Sequence, residues 1–299
     1  TPISQQDSPS WTFKVDKIII LDDDKFEDAP QRQAIIERYQ GQKMGKADIF
    51  NLARELTNFY ISRGYATTLV GIEPGNLKEG TLTLRVLWGK INALKANNEE
   101  PNFRQRMRLF TAYPFATGNV LNMQDIDQAV ENLTRVSGQD NIQVTPSVIN
   151  SRSDLNLITQ PFFPLSMAAG LNNSGTKASG WQQYYGSATL KNIASLNDIF
   201  NAYYSWNNLN NHDDNQDSFS LSYSVPLGYW NFDLSYYKSS YDKSIGGYYG
   251  GYDSDGHSER SSLRVSRMLT RNASGKTSAW AKFEKRENYN AIEGQQIDV

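Results

Sequence analysis

Residues 198–237 alternate apolar and polar residues in three successive segments. The clearest segment places a serine between each pair of apolar residues: Phe219, Leu221, Tyr223 and Val225 interleave with Ser218, Ser220, Ser222 and Ser224. Side chains alternate between the two faces of a strand, whereas a helix repeats about every 3.6 residues. The pattern therefore predicts β-strands with one apolar and one polar face.

Such strands fit either a soluble antiparallel sheet or a membrane barrel. In an outer-membrane barrel, short periplasmic turns alternate with longer external loops. The links here alternate in this way, with short links at 226–229 and 270–276 and long links at 208–217 and 241–258. Aromatic residues also lie near strand ends, as in the interfacial girdles of barrels: Trp181, Trp206, Tyr229 and Trp230. These features favour the barrel.

In a barrel of this kind the apolar residues face lipid and the polar residues face the lumen. Six residues are expected to face lipid: Phe219, Leu221, Tyr223, Val225, Phe232 and Leu234. Four residues are expected to face the lumen: Ser220, Ser222, Asp233 and Arg264. Arg267 has the apolar parity near the periplasmic end of its strand, where its long side chain can reach the interface.

Helical periodicity is prominent before residue 161. Residues 46–63 carry an apolar stripe at i, i+3, i+4, i+7 spacing and stop at Gly64, which suits a left-handed C-terminal cap. The predicted order is strand, helix, helix, strand, strand, and it recurs further along the chain. We therefore predict a linker at 1–10, small α+β domains at 11–89 and 90–160, and a strand-only region at 161–299.

Two predictions in the first domain concern its strands. The first strand is predicted at 13–21 and is followed by Asp22, Asp23 and Asp24. This triplet is interpreted as a solvated turn, because no cluster of acceptors elsewhere suggests a metal site. A further strand is predicted at 65–72, joined by a turn to the next.

Composition narrows the functional classes for these 299 residues. A net charge of −2 gives no electrostatic argument for nucleic acid, and the absence of cysteine excludes disulfides and thiolate metal sites. No run of about eighteen apolar residues predicts a membrane helix. Because Thr1 follows no leader, we expect a cytosolic protein or one whose signal peptide has been removed. His212 and His257 are interpreted as solvated loop residues, so no enzyme activity, metal or cofactor is expected.

Two units of this order followed by antiparallel strands resemble the outer-membrane transporters of two-partner secretion, the TpsB family of the POTRA-barrel superfamily. The resemblance rests on five segments: Arg63-Gly64-Tyr65, residues 121–128, Asn132-Leu133-Thr134-Arg135, residues 171–175 and residues 192–198. It implies two β-α-α-β-β POTRA domains in the periplasm, followed by the first seven or eight antiparallel strands of a transmembrane β-barrel in the bacterial outer membrane.

The resemblance also implies a function and partners. The POTRA domains would capture a secreted exoprotein client of the TpsA type (adhesin, haemolysin or toxin), and the barrel, in contact with outer-membrane lipid, would conduct it without ATP. An edge strand can accept an extended client as a further strand. The candidate edges are 66–72 and 141–146, with Thr67, Leu69, Ile142 and Val144 as candidate binding residues.

Several features of the family are missing from the sequence. The family's plug helix, its sixteen strands and its later loop with an Arg-Gly-Tyr or Arg-Gly-Phe tip are not found, so we expect a sequence trimmed at both ends. An outer-membrane insertase shares the order of POTRA repeats and barrel, and it is the alternative function. Two POTRA units in a full-length chain would favour secretion.

Overall fold

The computed structural model describes residues 11–75, 77–173, 182–208, 215–248 and 250–297. The predicted linker 1–10, Trp181, His212 and most of the link 208–217 lie outside these residues. The chain forms two compact units. One contains Thr1–Lys95, Phe115–Asp125 and Gln143–Asn156, and the other contains Ala96–Pro114, Ile126–Ile142 and Leu157–Val299.

The first small domain combines two helices with two small sheets. Its elements are β1 (Thr12–Lys14), β2 (Lys17–Leu21), α1 (Pro30–Tyr39), β3 (Lys43–Gly45), α2 (Lys46–Ser62), β4 (Leu69–Ile72), a 3-10 turn (Leu77–Glu79) and β5 (Thr81–Leu87). The sheet order is β2-β5-β4, with β2 parallel and β4 antiparallel to β5, and β1 pairs with β3. The single strand predicted at 13–21 is wrong, because the chain turns at Asp16, whose N–H donates to Gly80.

The apolar stripe of α2 supplies much of this domain's core. All six of its apolar residues are buried, as the spacing predicts: Ile49, Leu52, Ala53, Leu56, Phe59 and Tyr60. They belong to one cluster with Leu82, Leu84 and Val86 of β5. Gly64 follows the helix with a φ of +98°, a left-handed conformation that favours glycine.

The acidic turn after β2 is not fully solvated. Asp23 is buried, 2.5 Å from the guanidinium of Arg32, and it accepts a hydrogen bond from the Tyr60 hydroxyl. Burial raises the pKa of Tyr60, and the hydrogen bond to Asp23 adds to the shift. The sequence-based interpretation was wrong for Asp23, because its partners lie 9 and 37 residues away in the chain.

The second small domain repeats the order of the first. Its elements are β6 (Lys90–Ala96), α3 (Phe103–Ala112), α4 (Met123–Ser137), β7 (Asn141–Pro146) and β8 (Arg152–Ile158). The sheet order is β6-β8-β7, so β7 lies at an edge. Most of this sheet belongs to the first compact unit, whereas α3 and most of α4 belong to the second.

The remaining strands form one antiparallel sheet in chain order. They are β9 (Leu165–Asn172), β10 (Gln182–Lys191), β11 (Ile199–Asn208), β12 (Asn215–Leu227), β13 (Trp230–Gly247), β14 (Gly250–Asn272), β15 (Gly275–Ile292) and β16 (Gln295–Gln296). The predicted fold class, two β-α-α-β-β domains followed by antiparallel strands, is confirmed. Within the described ranges, no helix is both long enough and apolar enough to cross a membrane.

The predicted long loop at 241–258 is wrong. Strands β13 and β14 continue through it, and their pairing runs unbroken from Trp230 opposite Arg267 to Gly247 opposite Gly250. The prediction failed because it used apolar alternation to recognise a strand. Residues 239–247 lose that alternation, yet their backbone groups still pair across the hairpin.

Candidate functional site

The register of the large sheet places all six predicted lipid-facing residues on one face. Directly opposed residues of antiparallel strands share a face. Leu221 lies opposite Ala202 and Tyr236, and Tyr223 lies opposite Phe200 and Leu234. Phe219 and Val225 share the parity of Leu221, and Val225 lies opposite Phe232. The same face continues into neighbouring strands through Leu165, Leu190, Leu263, Val265 and Phe283.

The opposite face is rich in hydroxyl groups and contains the four residues predicted to face the lumen. Ser222 lies opposite Asn201, and Asp233 lies opposite Ser224 and Arg264. Ser220 has the parity of Ser222. The Arg264 guanidinium lies 4.6 Å from the Trp280 ring centroid. The two predicted sets therefore occupy opposite faces of one sheet.

The first candidate client edge is shorter than predicted. Strand β4 lies at a sheet edge, and Leu69 is 59% exposed. Thr67 lies outside the strand, so its assignment to the edge is corrected: the chain turns over residues 65–68, where the Thr68 N–H donates to Tyr65. The Val70 N–H points away from β5 and donates to Thr57 of α2 at 3.0 Å. By alternation, the next outward N–H belongs to Ile72.

An apolar groove of about 450 Å³ lies beside Ile72. Its walls come from the start of α2, the segment after β4, strand β5 and Trp11. Phe50, on α2, is 53% exposed there, and Lys46 lies at the same end of the helix. Sequence reasoning missed this groove. The available signal was Phe50, a large aromatic residue just outside the buried stripe of α2.

The second candidate client edge is β7. Its two predicted binding residues, Ile142 and Val144, lie in different environments. Ile142 is only 7% exposed, and its N–H donates to the Asn141 side chain at 2.8 Å. Val144 is half-buried, and its N–H points the same way as that of Ile142 by the alternation of the strand. Val144 is therefore the position at which an added strand could find a backbone donor.

A buried polar cluster joins α3 to the turn between β10 and β11. Arg108 donates to Asn197 at 2.8 Å and lies 2.5 Å from Asp140. The Asn197 side chain donates in return to the Arg108 carbonyl at 2.8 Å and to Thr111 at 2.9 Å. Arg104 donates to Ser195 in the same turn at 2.6 Å. Arg104 also donates to the Asn192 carbonyl at 3.3 Å, so both side chains and backbone of the turn are bonded to α3.

Helix α4 contacts the next turn at the same end of the sheet. Asn132 donates to the Gly228 carbonyl at 2.8 Å, and the Gly228 N–H donates to Thr111 at 2.8 Å. Gly228 has a φ of +60°, and a Cβ there would lie 3.0 Å from Pro114. The positive φ and the close approach of Pro114, which follows α3, therefore favour glycine at this turn.

Two charged residues of α4 also contact the strands. Arg135 donates to Asn231 at 2.9 Å and Ser224 at 2.5 Å, both on the polar face. Burial lowers the pKa of Arg135. Glu131 lies 2.6 Å from both Arg271 and Lys276. Burial alone would raise the pKa of Glu131, but hydrogen bonds from these two cations hold it below its ordinary value.

These contacts give a physical role to two of the five segments on which the family resemblance rests. Residues 132–135 hold the turn at Gly228, and residues 192–198 form the turn that Arg108 contacts. Sequence reasoning missed the contacts, since the bonded residues are separated by as many as 145 positions.

Arg267 lies 5.2 Å from the Trp230 ring. Nowhere in the described ranges do three His, Asp or Glu residues gather as a metal site.

Three family models match the chain. Residues 151–299 match the haemolysin secretion/activation protein family ShlB/FhaC/HecB. Residues 13–89 match the ShlB-type POTRA domain, and residues 90–146 match a POTRA domain.

Curated relatives match most of the chain. It is 30% identical over 274 residues to the outer membrane transporter CdiB-2 of Burkholderia pseudomallei, covering 88% of this chain and 44% of the relative. It is 28% identical over 207 residues to the hemolysin transporter protein ShlB of Serratia marcescens, covering 67% and 35%. The chain thus spans less than half the length of these relatives.

The solved structure of CdiB from Escherichia coli has the same fold. It superposes with a TM-score of 0.84 at 23% identity, over 99% of this chain and 55% of that one.

Proposed function

Because the chain belongs to the ShlB/FhaC/HecB family of outer-membrane transporters, with POTRA domains that lie in the periplasm, we propose that it secretes a protein. The POTRA domains capture an exported polypeptide, and the barrel conducts it to the cell surface without ATP. The matched relatives are named as transporters, which supports secretion over the insertase alternative. The client is a TpsA-type exoprotein: an adhesin, haemolysin or toxin.

The observation that carries the capture step is the groove beside Ile72. An extended client that adds to β4 meets the Ile72 N–H and the Val70 carbonyl, while its apolar side chains enter the groove next to Phe50. The Val70 N–H already donates to Thr57, so an added client strand can pair with β4 over only a short length. Client affinity at this edge therefore comes mainly from apolar burial, with backbone pairing fixing the register.

The second POTRA domain offers a further edge at Val144. Of the residues predicted from the sequence, Leu69 and Val144 face the proposed client. The Ile142 side chain is buried in the domain instead, and Thr67 lies before the strand.

The two faces of the large sheet support the conduction step. We assign Phe219, Leu221, Tyr223, Val225, Phe232 and Leu234 to lipid. We assign Ser220, Ser222, Asp233 and Arg264 to the lumen. Hydroxyl groups on this face already bond to one another, such as Ser205 to Ser218 at 2.6 Å. A surface whose polar groups are satisfied offers few strong binding sites, which suits the passage of an extended chain.

Backbone substitution tests the capture step. Ile72→Pro removes the outward donor, whereas Ile72→Ala keeps it and shortens the side chain. Loss of one hydrogen bond, about 0.5–1.5 kcal/mol, together with the altered strand geometry should weaken client binding roughly tenfold more than Ala does. Val144→Pro and Val144→Ala form the matched pair at the second edge.

Binding is measured with the full-length transporter and the purified secretion domain of a client, after circular dichroism shows each variant folded. Folded proline variants at both positions that bind and secrete like the wild type would exclude strand addition.

A further inference from the structure

The chain leaves α2 through a tight turn at Gly64. The Gly64 N–H donates to the Ile61 carbonyl at 2.9 Å, and the Tyr65 N–H donates to the Tyr60 carbonyl at 3.1 Å. This pair of bonds is a common way to end a helix and needs a left-handed residue between them. The Gly64 carbonyl accepts from the Ala66 N–H at 3.0 Å and keeps a second lone pair for a residue outside the turn.

The start of α4 contacts this turn. The Met123 N–H, which has no acceptor within its own helix, donates to the Gly64 carbonyl at 2.8 Å. Asn122 caps the same helix by accepting from the Gln124 N–H at 2.9 Å. Its amide nitrogen donates to the Arg63 carbonyl at 3.4 Å. The first turn of α4 is thus bonded to the end of α2, although 59 positions separate Arg63 from Asn122.

No side chain fits at Gly64 unless this helix start moves. A Cβ there would overlap the Asn122 amide and would lie 3.0 Å from its Cγ. The amide oxygen holds the Gln124 N–H, so it cannot swing away without uncapping α4. Gly41, in the same domain, offers a contrast: its φ is +81°, but a Cβ there would meet no heavy atom within 4 Å. Gly64 is therefore required by contact as well as by backbone conformation.

The residues before α4 are held by the first domain as well. The Leu121 N–H donates at 2.8 Å to the carbonyl of Gly89, which lies in the link between β5 and β6. The Leu121 side chain is fully buried, and Val120 packs against the apolar core of the first domain. We call these contacts of residues 120–123 with the first domain the joint. Opening the joint would lose backbone hydrogen bonds and apolar burial together.

We propose that the joint holds the start of α4 rigidly against the first POTRA domain, and that Gly64 is a positioning residue for secretion. A client bound at β4 and in the groove then keeps a fixed place relative to the start of α4. A loose link would let the bound client explore a larger volume, which lowers its effective concentration at the next step of transport. This inference rests on the proposed function and adds the requirement for a fixed joint.

Distance measurements test whether the joint is fixed. Cysteine is absent from these 299 residues, so cysteines introduced at exposed Glu37 of α1 and Asp127 of α4 carry spin labels in the full-length protein. Pulsed electron paramagnetic resonance then gives the distribution of distances between the labels. Wild type and Gly41→Ala should each give one narrow distribution. Gly64→Ala should broaden or shift it, because it adds overlap with Asn122 to backbone strain that Gly41→Ala also has.

Secretion tests whether the fixed joint matters. Gly64→Ala should secrete roughly tenfold less client than Gly41→Ala. Both should bind the purified secretion domain of the client with the same Kd, because β4 and the groove are unaltered. Gly64→Ala/Asn122→Gly removes the overlapping amide and leaves an acceptable cap residue. This double variant should regain the narrow distribution and most of the secretion, a rescue that general destabilisation of the domain does not predict.

An aspartate variant tests the joint without added bulk. Asn122→Asp keeps the cap of α4 but replaces the amide donor by a carboxylate, which repels the Arg63 carbonyl. It should broaden the distances and lower secretion. Asn102→Asp is the matched control, because Asn102 caps α3 by accepting from the Gln105 N–H at 2.9 Å. The control should change neither measurement, and Asn122→Asp decides the proposal even where Gly64→Ala does not fold.

Two results would overturn the inference. One is secretion by the folded joint variants equal to that of their matched controls, and the other is unchanged distance distributions. A wild-type protein that neither binds nor secretes the client would refute the proposed function instead, and the distances would still report whether the joint is fixed.

Discussion

In the first POTRA domain Arg32 lies 2.5 Å from Asp23, and in the second Arg108 lies 2.5 Å from Asp140, with all four side chains buried. The surroundings of the two pairs differ. In the first domain the pair is completed by Tyr60 of the same domain. In the second, Arg108 also donates to Asn197, in a turn of the strand region.

This difference separates two roles. The pair in the first domain stabilises that domain and leaves its edge strand and groove exposed to solvent. The pair in the second domain holds α3 against the barrel turn, and Asn132, Arg135 and Glu131 of α4 add further contacts. We infer that the first domain acts mainly as a receptor and the second as both receptor and adaptor to the barrel.

Breaking each ion pair should separate these roles and have the largest effect. Arg108→Met leaves Asp140 buried without a partner, which should cost about 3–5 kcal/mol. It should lower the unfolding midpoint of the barrel, followed by the heat-modifiable gel shift, and expose α3 to protease. Arg32→Met should cost a similar amount but affect proteolysis of the first domain only.

A matched double variant controls this prediction. Arg108→Met/Asp140→Leu replaces the pair by apolar groups and should recover much of the lost stability. An unchanged gel shift and protease pattern in Arg108→Met would show that the junction does not stabilise the barrel.

Single charges on the two strand faces should have the next largest effect. Under the proposed assignment of the two faces, Leu221→Arg places a cation on the lipid side and should cost about 2–4 kcal/mol near the bilayer midplane. Under the same assignment, Ser222→Arg places the cation in the lumen and should cost little. The heat-modifiable gel shift of the full-length protein measures both. Equal damage at these adjacent positions would favour a soluble sheet.

The smallest effect should come from Glu131, which is partly exposed, so solvent weakens its pairing. Its lowered pKa means that its contribution is present above the ordinary carboxyl pKa and is lost as the pH falls through the lowered value. Glu131→Gln should therefore reduce stability at neutral pH by about 0.2–1 kcal/mol. Urea midpoints of wild type and variant should converge at acidic pH. A constant difference would contradict the ion-pair role.

Local pattern was sufficient to predict most elements. The serine alternation around Leu221 predicted both faces of β12, and the stripe of α2 predicted its buried residues. Each signal depends on neighbours within a few positions, which the sequence displays directly.

The errors and omissions involve partners that are distant in the chain. Asp23 is buried by Tyr60, 37 residues away, and Asn132 contacts Gly228, 96 residues away. The Thr57 hydroxyl that occupies the Val70 N–H is equally invisible to periodicity. Strand β14 is longer than predicted, because backbone pairing continues where apolar alternation ends. Tertiary contacts therefore decided the edges and the junction, whereas backbone pairing across one hairpin decided the lengths of β13 and β14.

The most direct test of conduction is a crosslink to a client stalled during secretion. A photoreactive residue at Ser222 should crosslink the client, because the account places this position in the lumen. The same residue at Leu221, one position away on the opposite face, should not. Crosslinking at Leu221 with none at Ser222, in variants that fold and secrete, would contradict the proposed path through the barrel.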